Sequence, residues 1–444
     1  MKYNYPKQLS IVNFLLRVES IRKDPIAFHR KYFDKFGDTF SLKVGRSKHI
    51  ILSRDNEVAQ HVLQKNQKNY QKSKLQTVFI SKYLGHGLLT VNGDFWLKQR
   101  RLIQPAFHKE KMNQLVSNMQ QTIAAQLNDL PESKVTALFP IMNQLAFNVV
   151  AKSLFRLSAT EQKMNRLKVI ISDVQIFLIK EIRLPHKALW FKISGQISKH
   201  KKMASECDAI IKEIIEERLK SNAKQNDLLD MLLETRYEDT GEQMPVQQLI
   251  DEIKILFIAG HETTANALTF TLQLLGNHPE VQQKMLNEFL AIESETDDVV
   301  EQLQKMTYTN AVINESMRLY PPAWITDREN ITDDTLLGYR IKKETLIGVS
   351  FYALHRNPKY WENPDAFNPE RFLGAQKKES QRYFYPFGAG PRMCIGSGFA
   401  IYEMCLTLSC IVKIFEVVSV NKNIEVNPLI TLKPVGAQVV FHKR

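Results

Sequence analysis

The sequence predicts a mainly helical chain with small β-sheets, and three observations carry that expectation. Helical periodicity dominates from about residue 93 to 320. Inside that region one segment runs for about 30 residues, from Pro245 to a stop at Gly276-Asn277-His278-Pro279, well beyond an ordinary helix. Strand-type sequence is confined to short stretches near residues 36–55 and 334–350 and to the C-terminal end. No repeat, low-complexity linker or boundary-like break divides the chain, so a single domain over residues 1–444 is expected.

In chain order, the first strands are expected at Thr39–Val44 and His49–Leu52, with a turn at Gly45 between them. Pro245 is a good first-turn residue for the long helix. Much of that helix is apolar on every side (Ile253, Ile255, Leu256, Phe257, Ile258, Ala259), so it should run through the protein centre. A second strand region covers Asp334 to Ser350, Ser397 to Phe415 reads as a helix, and a last hairpin is expected within Pro428–His442.

The 444 residues allow a large core, and 44% hydrophobic with 24% charged residues is ordinary for a soluble globular protein. No run of roughly 18 apolar residues appears, so no membrane span is expected. The apolar patch within Ile11–Leu16 is interrupted by Asn13 and lacks a small-residue cleavage site, which argues against a secretion signal. Four cysteines, Cys207, Cys394, Cys405 and Cys410, are too few for a disulfide framework and fit a reducing compartment, so a cytoplasmic location is expected. The net charge of +13 is spread along the chain, apart from Lys199-His200-Lys201-Lys202, which looks like a solvated helix end or loop. No nucleic-acid-binding module accompanies it; a solvated surface or an acidic protein partner is the reading that remains.

The strongest local signal is Phe387-Gly388-Ala389-Gly390-Pro391-Arg392-Met393-Cys394-Ile395-Gly396. Glycines let backbone amides approach a sulfur, Arg392 adds positive charge, and a helix start follows; all three favour a thiolate and a soft anionic metal ligand. A buried cysteine in a glycine-rich turn is the plain alternative. Zinc is disfavoured because Cys405 and Cys410 lie inside the following helix and not at ligand-pair spacing. A phosphate loop is disfavoured by Met393 where the dinucleotide fingerprint needs glycine, and by the lack of the nucleotide-binding lysine.

This segment resembles the cysteine loop of the cytochrome P450 family, whose pattern Phe-x-x-Gly-x-Arg-x-Cys-x-Gly is met at Phe387, Gly390, Arg392, Cys394 and Gly396. Other family motifs follow in the family's order, so the similarity covers about Asp24 to Phe441. The resemblance implies the P450 fold, with the long central helix over a haem b whose iron Cys394 holds. It implies a monooxygenase that inserts one oxygen atom from dioxygen, the thiolate supplying the push for O–O cleavage.

In the long helix stands Ala259-Gly260-His261-Glu262-Thr263-Thr264, a polar notch that costs desolvation unless its groups find partners. Thr263 can bond the Ala259 carbonyl, and Gly260 removes bulk beside it. The resemblance makes this the oxygen-binding motif, with Ala259 and Gly260 against the cofactor, Glu262 and Thr263 managing proton delivery, and Thr264 structural. A zinc-protease reading of His261-Glu262 fails because Ala265 stands where the second histidine is needed, which leaves His261 a spectator.

Glu315 and Arg318 share a helical face, and a surface ion pair would explain them. The resemblance instead joins them with Arg371 in a buried structural triad. Trp96 and Arg100 also share a face, as any core aromatic beside a solvated arginine can. The resemblance assigns Trp96, Arg100, Arg328 and Arg392 to the haem propionates and places Phe387 and Gly388 in cofactor contact.

By family position the substrate pocket is expected to be lined by Leu88, Leu89, Phe257, Ala323, Trp324, Ile325 and Ile430, with Ile176–Ile193 as a lid. Plain core packing would explain each of them equally well. The apolar lining favours a lipophilic substrate, fatty acid or terpenoid-like. Basic residues interleaved in the lid leave peripheral membrane contact open. No flavin or iron–sulfur domain follows Arg444, so electrons are expected from a separate acidic ferredoxin or flavodoxin and its reductase, docking on Lys98, Arg101, Lys377 and Lys378. Within haem chemistry, a peroxide-driven enzyme, an isomerase or dehydratase, and a sensor without turnover are the competing readings.

Overall fold

The computed structural model describes residues 2–44, 48–155, 160–221, 224–225 and 227–444; the turn expected at Gly45 lies outside the described residues. Helices dominate, and the expected central helix is there, spanning Val246–Asn277 with Pro245 just before it. It packs most extensively on the helix Leu138–Phe155, and the two meet through stacked Phe147 and Phe257 rings, 5.8 Å between centroids. Both rings are almost fully buried, which stabilises the contact by roughly 1.5–3 kcal/mol per side chain. Polar residues survive in this apolar helix because they bond within reach: Thr269 and Thr271 donate to the carbonyls of Ala265 and Ala267, each at 2.7 Å.

The strands Thr39–Val44 and Lys48–Ser53 pair antiparallel, with Phe40 opposite Leu52. The region Asp334–Ser350 resolves into strands Asp334–Leu336, Tyr339–Ile341 and Leu346–Val349. Leu346–Val349 joins the N-terminal sheet, parallel to Lys48–Ser53 and antiparallel to Thr326–Asn330. The six-stranded sheet so formed also includes Gln8–Leu9 and Tyr70–Gln71.

The expected terminal hairpin is not there. Leu432–Val435 pairs with Glu425–Pro428, whereas Gln438–Lys443 pairs with Phe415–Ser419 and Thr136–Ala137 in a different sheet. Gly436, at a left-handed φ of +61°, turns the chain between the two sheets.

The helix Ser397–Ile414 is long and apolar enough to cross a membrane by composition, contrary to the expectation that none would be. Its residues Met404–Ser409, Ile411 and Val412 are buried in the main core, which accounts for its apolar character.

Candidate active site

Backbone constraint shapes the loop that carries Cys394. Gly388 and Gly390 hold φ values of +74° and +69°. A Cβ on Gly390 would stand 1.9 Å from the Leu63 carbonyl oxygen, so the loop seats directly on the turn His61–Lys65. The Cys394 amide donates to the Phe387 carbonyl at 2.9 Å and closes the loop. The cysteine is accessible, yet surrounded by enough protein that burial raises its thiol pKa; the Gly396 amide and the Arg100 charge pull it back down.

The cation at the sulfur is therefore Arg100, and the expectation for Arg392 is corrected. Arg392 lays its guanidinium over the Trp96 ring, 4.2 Å from the centroid, and donates to the Val91 carbonyl at 3.3 Å. It belongs to the 3₁₀ turn Gly390–Arg392. Arg100 arrives from the helix Gly93–Ile103 and donates to the Met393 carbonyl at 2.9 Å, bracing the loop beside the sulfur.

Three more cations gather on the Trp96 side. Burial and the nearby Arg328 push Arg392 down to about 10. Burial, Arg392 and Arg328 together hold Lys72 well below the ordinary lysine range. Arg328 is itself buried, its guanidinium donating to Thr326 Oγ1 and the Asp327 carbonyl. Among the described residues no carboxylate lies within ion-pairing distance of Lys72, Arg100, Arg328 or Arg392. Lys72 had no motif to announce it; only the fold brings it here.

On the long helix, Ala259 is exposed although it sits at the helix middle, and Gly260 and Thr263 are partly exposed, while Phe257, His261, Glu262 and Thr264 are buried. One face of a central helix thus opens onto a cleft. Thr263 donates to the Ala259 carbonyl at 2.7 Å and Thr264 to the Gly260 carbonyl at 3.0 Å. Glu262 is tied to the C-terminal segment: Thr431 donates to its Oε1, Lys433 Nζ lies 3.4 Å from that oxygen, and Asn266 donates to Thr431 at 3.3 Å. His261 bonds the Phe257 carbonyl at 2.6 Å, and burial lowers its pKa, as suits a spectator.

Glu315, Arg318 and Arg371 do come together. Arg318 and Glu315 are fully buried and paired in two bonds of 2.7 and 2.8 Å. Arg371 Nε stands 3.4 Å from Glu315, within ion-pairing distance but outside hydrogen-bond geometry. Arg318 also donates to the carbonyls of His355, Pro364 and Ala366, which ties the helix Thr307–Leu319 to the segment ahead of the cysteine loop.

Of the expected pocket residues, Leu88 and Leu89 are partly buried, Ala323 is exposed, Ile325 is partly buried between two clusters, and Ile430 is 42% exposed. Two expectations are corrected. Phe257 packs on Phe147 in the core, and Trp324 is buried beside His29 with its Nε1 donating to the Leu429 carbonyl at 2.9 Å, so neither faces the cleft. In the expected lid, Phe177, Leu178 and Phe191 are buried while Leu189, Trp190 and Ile193 are exposed. Two surface grooves, of about 280 Å³ beside Phe177 and His200 and about 510 Å³ beside Arg183 and Pro428, contain no residue of the cysteine loop.

The family model described as Cytochrome P450 matches residues 4–441. The chain belongs to the cytochrome P450 family. Membership implies a haem, and the donor set fits one: an accessible cysteine thiol, with four cations that among the described residues pair with no carboxylate. Among its relatives, a cyclooctat-9-en-7-ol 5-monooxygenase of Streptomyces melanosporofaciens is 32% identical over 74% of this chain and 72% of that protein. An echinocystic acid 23-monooxygenase of Saponaria officinalis is 30% identical over 97% of this chain and 89% of its own. A solved cyanobacterial P450 with bound retinoic acid, CYP120A1, shares the fold with a TM-score of 0.84 at 23% identity, covering 100% of both chains. This P450 chain is a monooxygenase of the haem-thiolate class.

Proposed function

We propose that this monooxygenase acts on a lipophilic substrate, fatty acid or terpenoid-like, at a haem b held by Cys394. The observation that carries the reading is the accessible Cys394 thiol in the same site as a set of buried and half-buried cations that, among the described residues, make no ion pair with a carboxylate. In this reading Cys394 ligates the iron, Trp96, Arg100, Arg328 and Arg392 take the propionates with Lys72 beside them, and Phe387, Gly388, Ala259 and Gly260 line the cofactor. The relatives' names, cyclooctat-9-en-7-ol and echinocystic acid, support a carbon-rich substrate.

Bound haem supplies the oxygen activation; the protein's part is to bind, orient and move protons. Thr263, with its hydroxyl held at the Ala259 carbonyl, presents its oxygen to the open helix face. Glu262 receives protons from the Lys433 and Thr431 side and returns them toward that face. Leu88, Leu89, Ala323, Ile325 and Ile430 exclude water from the substrate side. The Glu315–Arg318–Arg371 triad holds the cysteine loop in place and takes no chemical part.

Electrons come, in this proposal, from a separate acidic ferredoxin or flavodoxin. Lys377 and Lys378 are exposed on the helix Gly374–Ser380, whereas Lys98 pairs with Asp239 at 3.0 Å and Arg101 lies 4.0 Å from Glu238, so the docking charge rests on the first two. The cytoplasmic location is proposed from four free thiols.

The reduced protein with carbon monoxide is expected to show the Soret band of a thiolate-ligated haem, and Cys394→His to shift it to the histidine position. NADPH with surrogate redox partners should then drive oxidation. Turnover with peroxide alone would favour the peroxide-driven reading, and a histidine-type band in the unmutated protein would sink the assignment.

A further inference from the structure

Between the short helix Ser81–Leu84 and the helix Gly93–Ile103, the chain at Gly85–Val91 adopts neither helix nor strand, yet it carries Leu88 and Leu89. Regular backbone pairing does not hold its shape. Side chains do.

From the long helix, Glu252 Oε2 accepts the Leu88 amide at 2.9 Å, and Asp251 accepts the His86 amide at 2.8 Å. Gln248 donates to the His86 carbonyl at 2.7 Å and to Glu252 Oε1 at 3.0 Å, so it braces both. From the opposite side, Lys72 Nζ donates to the carbonyls of Leu88 and Leu89, each at 2.7 Å. The peptide unit of Leu88 is therefore gripped at its N–H by Glu252 and at its C=O by Lys72.

The fit is close enough to dictate the loop's sequence. A Cβ on Gly87 would lie 2.6 Å from Glu252 Oε2, and one on Gly85 2.2 Å from the Asp251 carboxyl, at a φ of +79°. The backbone has been brought up against the carboxylates as far as the absence of side chains allows.

Glu252 is fully buried on the long helix and, unlike the adjacent Asp251, which lies 3.3 Å from Lys254, it has no ion-pair partner among the described residues. An apolar residue would cost less desolvation there, so the carboxylate is explained by the amide it satisfies. We infer that Glu252 is a positioning residue that sets the substrate-side wall of the site by fixing Leu88 and Leu89 in place. This rests on the reading of those two leucines as pocket lining. Lys72 completes the clamp, and because it stands among the propionate-side cations, the wall and the cofactor end of the site share one side chain.

The test uses haem-loaded protein, the parent and two variants. Glu252→Leu keeps volume and loses the acceptor; Glu252→Gln keeps an acceptor oxygen. Hydrogen–deuterium exchange of the 86–89 amides is expected to rise about tenfold in E252L and to stay within about twofold of the parent in E252Q. Binding of imidazole, 1-butylimidazole and 1-octylimidazole is followed by the Soret shift. The ratio of butyl to octyl affinity is expected to change about fivefold or more in E252L, with imidazole itself unchanged. A rise in exchange without a change in that ratio overturns the wall role, as does unchanged exchange. A parent protein lacking the thiolate-type carbon monoxide band would overturn the proposed function and this inference with it, whereas a normal band with an unmoved ratio overturns the inference alone.

Discussion

Lys433 Nζ stands 3.4 Å from Glu262 Oε1, and Thr431 donates to the same oxygen from the same turn of chain. The carboxylate of the polar notch is thus anchored toward the strand Leu432–Val435. Lys433 is only 26% exposed by its side chain, so the pair sits at the edge of the buried helix and not in open solvent.

With Glu262 in the proton path, Glu262→Gln is expected to lower kcat by about 100-fold while the reduced carbon monoxide spectrum stays unchanged. Lys433→Met should lower kcat less, by about tenfold, and raise the fraction of NADPH consumed without product. Steady-state turnover with product quantification checks both.

Breaking the triad should be felt in folding. Arg318→Ala leaves Glu315 buried without its bidentate partner and three backbone carbonyls without a donor. A destabilisation of about 3–5 kcal/mol is expected, with loss of haem retention. Arg371→Ala, which removes a longer and more peripheral contact, should cost less. Denaturant unfolding and haem absorbance per mole of protein measure the difference.

The buried cations carry a prediction of opposite sign for the two forms of the protein. Burial depresses the pKa of Arg392, Arg328 and Lys72, and neighbouring arginines add to the fall at Arg392 and Lys72, so the charge on Arg392 destabilises the haem-free chain. Arg392→Met should raise the Tm of haem-free protein by a few degrees, roughly 1 kcal/mol. The same variant should lose haem faster to a scavenging apoprotein.

Glu252 sets a pH slope. Burial pushes its pKa up to about 7, with Asp251 adding to the rise and the Leu88 amide, Gln248 and Lys72 opposing it. The native state thus holds a proton that the unfolded chain has released above about 4.3, and unfolding free energy falls as pH rises from there through 7. The full span is on the order of 3 kcal/mol, fully present below the unfolded value and gone above 7. Urea unfolding of the parent and of Glu252→Gln at pH 5, 7 and 9 isolates it: the difference in slope should vanish above pH 8.

Much of this was legible in the residues. The cysteine loop announces itself because its glycines, proline and cysteine are contiguous, and the long helix because its apolar run has clear stops. What stayed hidden has a physical reason in each case. A helix apolar on all sides offers no phase, so Phe257 could not be told from Ala259 as the residue facing the cleft. Trp324 sits in a motif of the right order but spends its ring on His29. Lys72, Glu252, Thr431 and Lys433 act on partners up to 171 residues away in sequence, as Lys433 and Glu262 show, and no spacing rule reaches that far. The terminal strands alternate as a hairpin would, yet pair with strands in two different sheets.

The parallel pair of Lys48–Ser53 with Leu346–Val349 bears on how the protein is made. The N-terminal strand leaves the ribosome long before its partner exists, and Cys394 follows later still. The sheet cannot close, nor can cofactor be captured, until most of the chain has been synthesised. In the meantime the strand Lys48–Ser53 presents an unpaired edge, the condition under which a nascent chain is most open to mispairing.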